Sequence, residues 1–367
     1  MDNIARESPL WVKTSLAAAI GLGLEPGRFY RNAEATCLNL LLCYEKGCAA
    51  SCAYCGLGRN RAAAGEKTFI RVKWPRYALE EILQKLRERP RSFRRICVSM
   101  ITHPAALKDT VTIISFLRRV TDLPISVLVT PTVMRGSGGF LTLLAAGADH
   151  VGVAVDAATD TLFDALRGKG VKGPHRWERY WRAVAEAVEV FGRGRVGIHL
   201  IVGLGETEED CVRVMDRARA MGAVTHLFSF YPEAGSLLAD RPQPSVERYR
   251  RVQMARYLID NGHARYGEMR FDDGGRILSY GVDPEPFVRS GEPFMTSGCP
   301  GRDGRVACNR PFANERAGRP FRNYPFAPEP EDIETIRSQF KPGGESRDDD
   351  EKSEKKDPLR GTFGEGL

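Results

Sequence analysis

The sequence lacks both a long basic run and a long apolar run. Its net charge of +7 is spread over 367 residues, and no basic cluster is long enough to indicate nucleic-acid binding. The apolar segment 15–24 is too short to span a bilayer, and the charged residues before it, which include Asp2 and Glu7, are atypical of a secretory signal. We therefore expect no nucleic-acid or membrane partner, and we predict that 15–24 is a helix packed on the main domain.

The nine cysteines also lack the even number expected of a secreted disulfide framework. Three of them, Cys48, Cys52 and Cys55, form a C-x3-C-x2-C loop with Tyr54 directly before the last sulfur. The loop supplies one thiolate fewer than a complete four-cysteine iron–sulfur cage, which leaves one iron open to a substrate or cosubstrate. A zinc site is the alternative, but zinc sites usually pair two halves of the C-x-x-C kind, and no second half lies nearby. Because cluster thiolates need a reducing compartment, we expect a cytoplasmic protein.

After the cysteine loop, β-rich apolar runs alternate with longer amphipathic stretches. With the run 37–43 before the loop and two weaker candidates at 268–272 and 293–296, the pattern gives about eight strands. It predicts an α/β fold with a parallel (βα)8 barrel of the TIM type, and an open (βα)6 partial barrel is the competing count. Chemistry in such barrels lies at the carboxyl ends of the strands, and the cysteine loop directly follows the first strand.

Composition divides the chain into four parts. We expect an N-terminal helical segment over 1–35, the barrel over 36–297 and a cysteine-containing C-terminal extension over 298–340. The tail 341–367 is dominated by charged residues and glycine, so we expect it to be disordered and give it no catalytic role.

The extension carries Cys299 and Cys308. Glycine and proline beside Cys299 indicate a turn that exposes backbone N–H groups to a sulfur cluster, so we interpret the pair as half of a second iron–sulfur site. The alternative is that they are two loop thiols without a role.

Cys37 and Cys43 would lie roughly 20 Å apart along a straight strand and could not share one cluster. Cys43, at the carboxyl end, is the better candidate, and Cys37 serves only if the segment is bent. Cys97, in mid-strand, points into the barrel or is a small buried apolar residue.

The loop spacing and its aromatic residue resemble those of the radical S-adenosylmethionine (SAM) superfamily. The resemblance implies a [4Fe–4S] cluster on Cys48, Cys52 and Cys55. In that family the open iron chelates the amino and carboxylate groups of SAM, and the reduced cluster cleaves SAM to a 5′-deoxyadenosyl radical. Other segments resemble the biotin synthase branch of the superfamily, over residues 95–104, 155–156, 201–207 and 231–240.

The same resemblance implies SAM-binding roles for individual residues. The backbone of Tyr54 would lie near the adenine, and Asp156 would accept hydrogen bonds from the ribose hydroxyls. Arg179 or Arg182 would pair with the SAM carboxylate, and helix phase does not choose between them. The alternatives are that Asp156 caps the next helix and that both arginines are solvated. The adenine pocket would be completed by Ile201, Phe230 and Tyr231.

The chain departs from biotin synthase, whose auxiliary cluster uses three cysteines and an arginine on barrel strands. The strands expected at 125–133 and 196–203 carry no cysteine, so we do not expect biotin synthesis. Cys-Pro-Gly at 299–301 and Cys-Asn-Arg-Pro at 308–311 instead resemble the two-component lipoyl synthases, in which two related radical SAM proteins divide the two sulfur insertions.

That resemblance implies sulfur insertion into an octanoyl chain on a lysine of a carrier domain or peptide, with an auxiliary [4Fe–4S] cluster as the sulfur source. The carbons attacked are unactivated, so the cofactor must supply the radical, and no catalytic side chain is expected beyond it. A paralogous radical SAM partner and a ferredoxin or flavodoxin electron donor are the other expected partners. Four arginines of the extension would steer an acidic carrier surface or form a solvated loop: Arg302, Arg305, Arg310 and Arg316.

Two other functions stay open. A carbon-skeleton rearranging enzyme, of the methylornithine synthase or hydrogenase-maturation type, would need no sacrificial cluster. A non-catalytic iron–sulfur partner of an active paralogue would cleave no SAM. Iron counting separates these functions, because about eight irons per chain favour two [4Fe–4S] cubes and about four favour one.

Overall fold

The computed structural model describes residues 5–31, 33–59, 72–309 and 320–340. The predicted tail 341–367 lies outside these ranges.

In chain order the strands of the main sheet are β1 (Trp11–Thr14), β2 (Cys37–Leu42), β3 (Arg76–Ala78), β4 (Arg95–Ser99), β5 (Ile125–Val129), β6 (His150–Asp156), β7 (Val196–Val202) and β8 (Val224–Ser229). The helices are α1 (Leu16–Leu22), α2 (Leu79–Glu88), α3 (Ala106–Arg118), α4 (Gly136–Ala146), α5 (Asp160–Arg167), α6 (Trp177–Phe191), α7 (Glu208–Met221), α8 (Val246–Asp260), α9 (Glu285–Ser290) and α10 (Pro330–Gln339).

Six strands of the sheet are parallel neighbours. The sheet order is β3-β1-β2-β4-β5-β6-β7-β8. Strands β2 and β4 to β8 run parallel, whereas β1 pairs antiparallel with both β2 and β3. The predicted α/β fold with a helix-flanked parallel sheet is confirmed, and its parallel strands number six, as in the competing count.

The two weaker strand candidates do not join this sheet. Of the first, only Arg270–Phe271 forms a strand, β9, which pairs with β10 (Ile277–Ser279) in a separate two-stranded sheet. The Asp-Asp-Gly-Gly run at 272–275 turns the chain back after two residues. The second candidate overlaps the 3-10 turn Glu292–Phe294, where Pro293 lacks the N–H group that a strand ladder needs.

The predicted helix at 15–24 is present as α1. At its start the Ser15 hydroxyl accepts a hydrogen bond from Ala18 N, and Gly23 ends it with a φ of 73°, a left-handed conformation that glycine adopts without strain. Ala18 and Leu22 belong to the main apolar core. Within the described ranges, no helix combines the length and the apolar character needed to cross a membrane.

Side chains of the parallel strands alternate between a helix-facing and an interior face. Helix-facing residues such as Ile96 and Val98 of β4 join the main apolar core. The interior residues form two layers. The layer toward the carboxyl ends lines a cavity and contains Ser99, Leu128, Ala154, His199 and Phe228. The layer toward the amino ends lies two residues earlier on the same strands and contains Cys97, Ser126, Gly152, Gly197 and His226.

The segment 297–309 joins the two ends of the parallel sheet. At β8, the Ser297 hydroxyl accepts a hydrogen bond from Leu227 N at 3.2 Å. At the other end, just before β2, the Thr36 hydroxyl donates to Ala307 O at 2.7 Å. The cysteine-bearing extension therefore bridges the gap that two further parallel strands would have filled.

Candidate active site

Three cysteines, Cys48, Cys52 and Cys55, lie on the loop that follows β2 at the carboxyl end of the sheet; they are called the loop cysteines below. All three are half-buried. The loop is tied to the end of α5 by a hydrogen bond from Ala53 N to Leu166 O at 2.8 Å. Burial raises the pKa values of Cys52 and Cys55, so a bound cation is needed to hold these sulfurs as thiolates at neutral pH.

The loop cysteines form part of the wall of a cavity in the barrel interior. The empty volume is about 1330 Å³ when the open mouth is included. Its charged lining residues are Asp156, Arg167 and Arg322. A mostly apolar wall with a few charged groups suits an apolar chain beside a charged cosubstrate. The apolar part of the wall includes Leu41, Ile101, Leu128, Ile201, Phe228 and Phe230.

Asp156 ends β6 in an unusual backbone conformation. Its φ is 64°, in the left-handed region that non-glycine residues rarely adopt and that is concentrated at functional sites. The register with β7 shifts between Val153 and Asp156, and the Asp156 side chain lines the cavity. Tyr54 OH donates to Asp156 Oδ2 at 2.6 Å, and Arg167 Nη1 lies 3.1 Å from the same oxygen. Asp156, which is predicted to bind the ribose hydroxyls, therefore lies beside the loop cysteines in a fixed orientation.

A buried polar network continues from Asp156 along the cavity wall. Arg167, at the end of α5, also donates to Tyr180 OH at 3.3 Å. Tyr180 OH lies 3.0 Å from His175 Nδ1, and the Thr132 hydroxyl lies 2.6 Å from the same nitrogen. Burial, together with the charges of Arg167 and Arg176, lowers the pKa of His175 to about 2. The imidazole is therefore neutral at physiological pH.

Sequence reasoning missed Arg167, Tyr180 and His175. A signal was available for Arg167, which lies four residues after Phe163 in α5 and shares its buried face. A charged residue at a core position of an amphipathic helix indicates a buried partner. No comparable pattern marks His175, which lies in the turn before α6.

Neither predicted ligand of the SAM carboxylate, Arg179 or Arg182, lines the cavity in the described part of the chain. Arg179 pairs with Glu186 at 3.0 Å and donates to Met134 O at 3.0 Å, whereas Arg182 is exposed. Helix α6 packs through an apolar stripe, and both arginines fall outside that stripe. Their assignment to the SAM carboxylate is therefore corrected. The other residues predicted to contact SAM do line the cavity: Tyr54, Asp156, Ile201, Phe230 and Tyr231.

Four further cysteines meet at the amino end of the barrel. Cys37, Cys97, Cys299 and Cys308 form one buried cluster, with exposures of 0%, 5%, 7% and 6%; they are called the floor cysteines below. Cys37 begins β2, Cys97 lies in the neighbouring β4, and the other two come from the extension. Cys308 N donates to Cys299 O at 2.9 Å. This approach requires glycine at position 298, because a Cβ on Gly298 would lie 1.7 Å from Cys308 O.

Cys43 does not belong to this group. Its sulfur lies 3.4 Å from Trp11 O, beside β1, at the opposite end of β2 from Cys37. Strand β2 pairs with β4 in an unbroken register, so the expected separation of roughly 20 Å between Cys37 and Cys43 holds. The preference for Cys43 as a ligand is corrected, and Cys37 takes its place without any bend in the strand. Cys97 joins the group because its side chain faces the interior.

Residues 45–218, which contain the loop cysteines and Asp156, match the family model of the Radical SAM superfamily. By this match, residues 45–218 form a radical SAM domain. Such a domain implies a [4Fe–4S] cluster and SAM as cofactors, and it supports an enzyme. No curated protein sequence matches the chain.

Three solved structures show a distant similarity to this chain. Methylornithine synthase (PylB) is 15% identical, with 67% of this chain and 66% of that chain covered and a TM-score of 0.48. The FeFe-hydrogenase maturase HydG from Carboxydothermus hydrogenoformans is 16% identical, with 67% and 59% covered and a TM-score of 0.47. A radical SAM methyltransferase from Sphaerobacter thermophilus is 16% identical, with 63% and 65% covered and a TM-score of 0.40. The chain spans less than two thirds of the length of each, and similarity this low does not choose among their activities.

The floor cysteines fit a second iron–sulfur cluster by their donor chemistry, because four cysteines are the complete ligand set of a [4Fe–4S] cube. Their surroundings fit as well. The small residues Ser126, Gly152 and Gly197 share their layer, and His226 Nδ1 is buried with no hydrogen-bond partner among the described residues. Across the described ranges, no His, Cys, Asp and Glu side chains are arranged as a ready-made site for one metal ion.

The cavity of the barrel begins at the loop cysteines and ends at the interior layer directly above the floor cysteines. Cys97 Sγ lies 3.9 Å from Ser99 Oγ, and Ser99 lines the cavity. On the other side, His226 Nε2 lies 3.9 Å from Cys299 Sγ. The His226 ring is 5.9 Å from that of His199, which also lines the cavity. A molecule in the cavity therefore lies between the two cysteine groups.

Proposed function

We propose that this radical SAM protein inserts sulfur into an unactivated C–H bond of an octanoyl chain carried by a protein domain or peptide, as a lipoyl synthase or one component of it. One observation supports the proposal above others, namely the four buried floor cysteines directly beneath the cavity. A carbon-skeleton rearrangement needs no second cysteine site at that position, whereas sulfur insertion needs a sulfur source within reach of the substrate.

The bound cofactors carry the chemistry of this proposal, and the protein positions them. With the cofactors bound, the loop-cysteine cluster and SAM would supply the radical chemistry for hydrogen-atom removal, and the floor-cysteine cluster would supply the sulfide for the new C–S bond. Cys48, Cys52 and Cys55 would hold the first cluster, and the floor cysteines the second.

The polar network at the carboxyl end binds the cosubstrate in this proposal. The Asp156 carboxylate accepts hydrogen bonds from the ribose hydroxyls, and Tyr54 and Arg167 keep it in place. The Tyr180 and Thr132 hydroxyls both lie within hydrogen-bond distance of His175 Nδ1 and hold the ring in place. Because His175 lines the cavity, its ring is available for a hydrogen bond to SAM or to the substrate.

The apolar wall binds the acyl chain and excludes water. Leu41, Leu128 and Phe228 contribute to it from β2, β5 and β8. Burial of each CH₂ group contributes about 0.8 kcal/mol, so the wall favours a straight apolar chain over one with polar substituents. A water-poor cavity also protects a carbon radical from side reactions.

The proposed carrier, paralogous partner and ferredoxin or flavodoxin donor belong to the same proposal. Arg302 and Arg305 are exposed on the turn between two floor cysteines, at the amino end of the barrel, and Arg302 donates to Asp122 O. This position favours a solvated loop over steering of a carrier into the cavity. Arg310 and Arg316 lie outside the described residues.

A product assay tests the proposal. We expect anaerobically reconstituted protein, given SAM, dithionite and an octanoyl-lysine peptide, to yield a peptide with one added sulfur by mass spectrometry, together with 5′-deoxyadenosine. Cys97→Ala should still cleave SAM but add no sulfur, because it removes a floor ligand and leaves the loop cysteines intact. Cys211→Ala is the matched control, since Cys211 is buried in α7, and it should keep both activities.

Two outcomes would overturn the proposal. Wild-type protein that forms 5′-deoxyadenosine, binds about four irons instead of about eight and yields no sulfurated peptide would favour a rearranging enzyme. Fully reconstituted protein that forms no 5′-deoxyadenosine, with or without a partner, would favour a non-catalytic iron–sulfur protein.

A further inference from the structure

Arg95 is a buried cation at the amino end of the barrel. It begins β4, and its side chain is 1% exposed. It precedes Cys97 by two residues and so shares the interior face of the strand. In the parallel register it is the neighbour of Cys37 on β2. The guanidinium therefore lies beside two of the floor cysteines.

The Arg95 guanidinium contacts three segments at once. Its two terminal nitrogens donate to Asp149 Oδ1 at 2.7 Å and Oδ2 at 2.8 Å, and Nε donates to Pro300 O at 2.6 Å. Pro300 directly follows Cys299. One side chain thus connects β4, the start of β6 and the cysteine-bearing extension, in the bidentate geometry that a lysine cannot reproduce.

The Arg95–Asp149 pair is asymmetric in its exposure to water. The Asp149 side chain is 36% exposed, against 1% for Arg95. Water screens the carboxylate, whereas the guanidinium acts in a medium of lower dielectric constant. Arg95 is the register neighbour of Cys37, and its Nε donates to Pro300 O directly after Cys299. The positive end of the pair is therefore the one that the floor cysteines face.

We infer that Arg95 is a positioning residue for the second cluster. Its guanidinium fixes the extension against the barrel through hydrogen bonds, and its charge stabilises the reduced state of a [4Fe–4S] cluster on the floor cysteines. The inference rests on the proposed function, which supplies that cluster. A [4Fe–4S] core on four thiolates carries a net negative charge that grows by one on reduction, and net charge is one of the factors that set the reduction potential.

The same charge bears on sulfur insertion. When a carbon radical forms a C–S bond with a cluster sulfide, the bond uses one electron from the radical and one from the sulfide lone pair, and the second electron of that pair reduces a ferric iron. The cluster therefore gains one electron at this step. A buried cation beside the floor cysteines lowers the free energy of that more reduced state.

The test is a redox titration of the full chain carrying Cys48→Ala, Cys52→Ala and Cys55→Ala, so that the second cluster alone contributes to the electron paramagnetic resonance signal. In this background we expect Arg95→Gln to lower the midpoint potential enough to change the reduced-to-oxidised ratio at least tenfold, which is about 59 mV for one electron. Arg95→Lys keeps the charge and should shift the potential less. Asp149→Asn should shift the potential in the opposite direction, and by less, because Asp149 is partly screened.

Arg94→Gln is the matched control. Arg94 also ties β4 to the extension, through Asp303, but this pair is exposed on both sides, so its loss should leave the potential unchanged. Retention of the cluster in Arg95→Gln with an unshifted potential would overturn the inference. If Arg95→Gln and Arg95→Lys both lose their iron, Asp149→Asn decides: an upward shift supports the inference and no shift overturns it. A background chain that binds no iron would instead refute the proposed function.

Discussion

The two ends of the barrel hold cysteines in opposite ways. The loop cysteines come from one short stretch of sequence, are half-buried and border an open cavity. The floor cysteines come from two strands and an extension, and all four are buried. Three thiolates at an open site leave a cluster iron free to bind SAM, whereas four thiolates in a closed site complete the coordination of a cluster. The difference suits one end to binding a cosubstrate and the other to holding a sulfur source.

A carboxylate–arginine pair lies at each end of strand β6. Asp149 precedes the strand and Asp156 ends it. Each carboxylate pairs with a buried arginine beside a cysteine group: Arg95 next to the floor cysteines and Arg167 next to Cys52. An iron–sulfur cluster held by thiolates is anionic, and a buried cation offsets that charge. The shared arrangement supports the view that both ends bind clusters.

The largest expected effect comes from removing the loop cysteines. Replacing Cys48, Cys52 and Cys55 with alanine should abolish 5′-deoxyadenosine formation, because no open iron would remain for SAM. Bound iron should fall from about eight to about four per chain, since the floor cysteines are untouched. Chromatographic assay of 5′-deoxyadenosine and iron analysis check both expectations. Loss of all the iron would mean that the floor cysteines hold no cluster of their own, which would refute the proposed function.

The difference between the two ends also decided what could be predicted from the sequence. The spacing of the loop cysteines is local, so no knowledge of the fold was needed to group them. Cys37 and Cys97 become neighbours only through the register of β2 with β4, and register is a long-range property. Cys43 was preferred because it lies at the carboxyl end of its strand, but the hydrogen bond from Thr36 to Ala307 places the extension at the amino end.

The strands that could be predicted from the sequence were those that lie in long, continuous apolar runs. The run 125–133 contains β5, and the run that ends at Asp156 contains β6. The antiparallel strands β1 and β3 are only four and three residues long, too short for periodicity to reveal. The count of eight parallel strands failed because a turn at 272–275 ends β9 after two residues.

A paired substitution at the two ends of β2 sharpens the comparison. Cys37→Ala should remove the second cluster, lowering bound iron from about eight to about four, while 5′-deoxyadenosine formation persists. Cys43→Ala should leave iron binding unchanged, because the Cys43 thiol contacts Arg6 O and Trp11 O beside β1, at the opposite end of β2 from the floor cysteines. Iron and sulfide analysis with electron paramagnetic resonance measures the difference. The reverse pattern, with iron lost from Cys43→Ala alone, would contradict the assignment of the floor cysteines.

The smallest expected effect concerns the pH dependence of the carboxyl end. The pKa of His175 is lowered to about 2 by burial and by the charges of Arg167 and Arg176, whereas an unfolded histidine titrates near 6.5. Between these values the unfolded state binds the extra proton, so the free energy of unfolding must fall as the pH decreases. From pH 7 to pH 5 this group should remove about 2 kcal/mol of stability.

His175→Asn tests that pH dependence because asparagine keeps an acceptor near the position of Nδ1 but does not titrate. Urea denaturation at pH 7 and pH 5 should show a loss of stability that is about 2 kcal/mol smaller in the variant than in the wild type. The exposed His263, replaced by asparagine, is the control, because water surrounds it in both states. Equal pH dependence in His175→Asn and the wild type would mean that His175 is protonated in the folded protein.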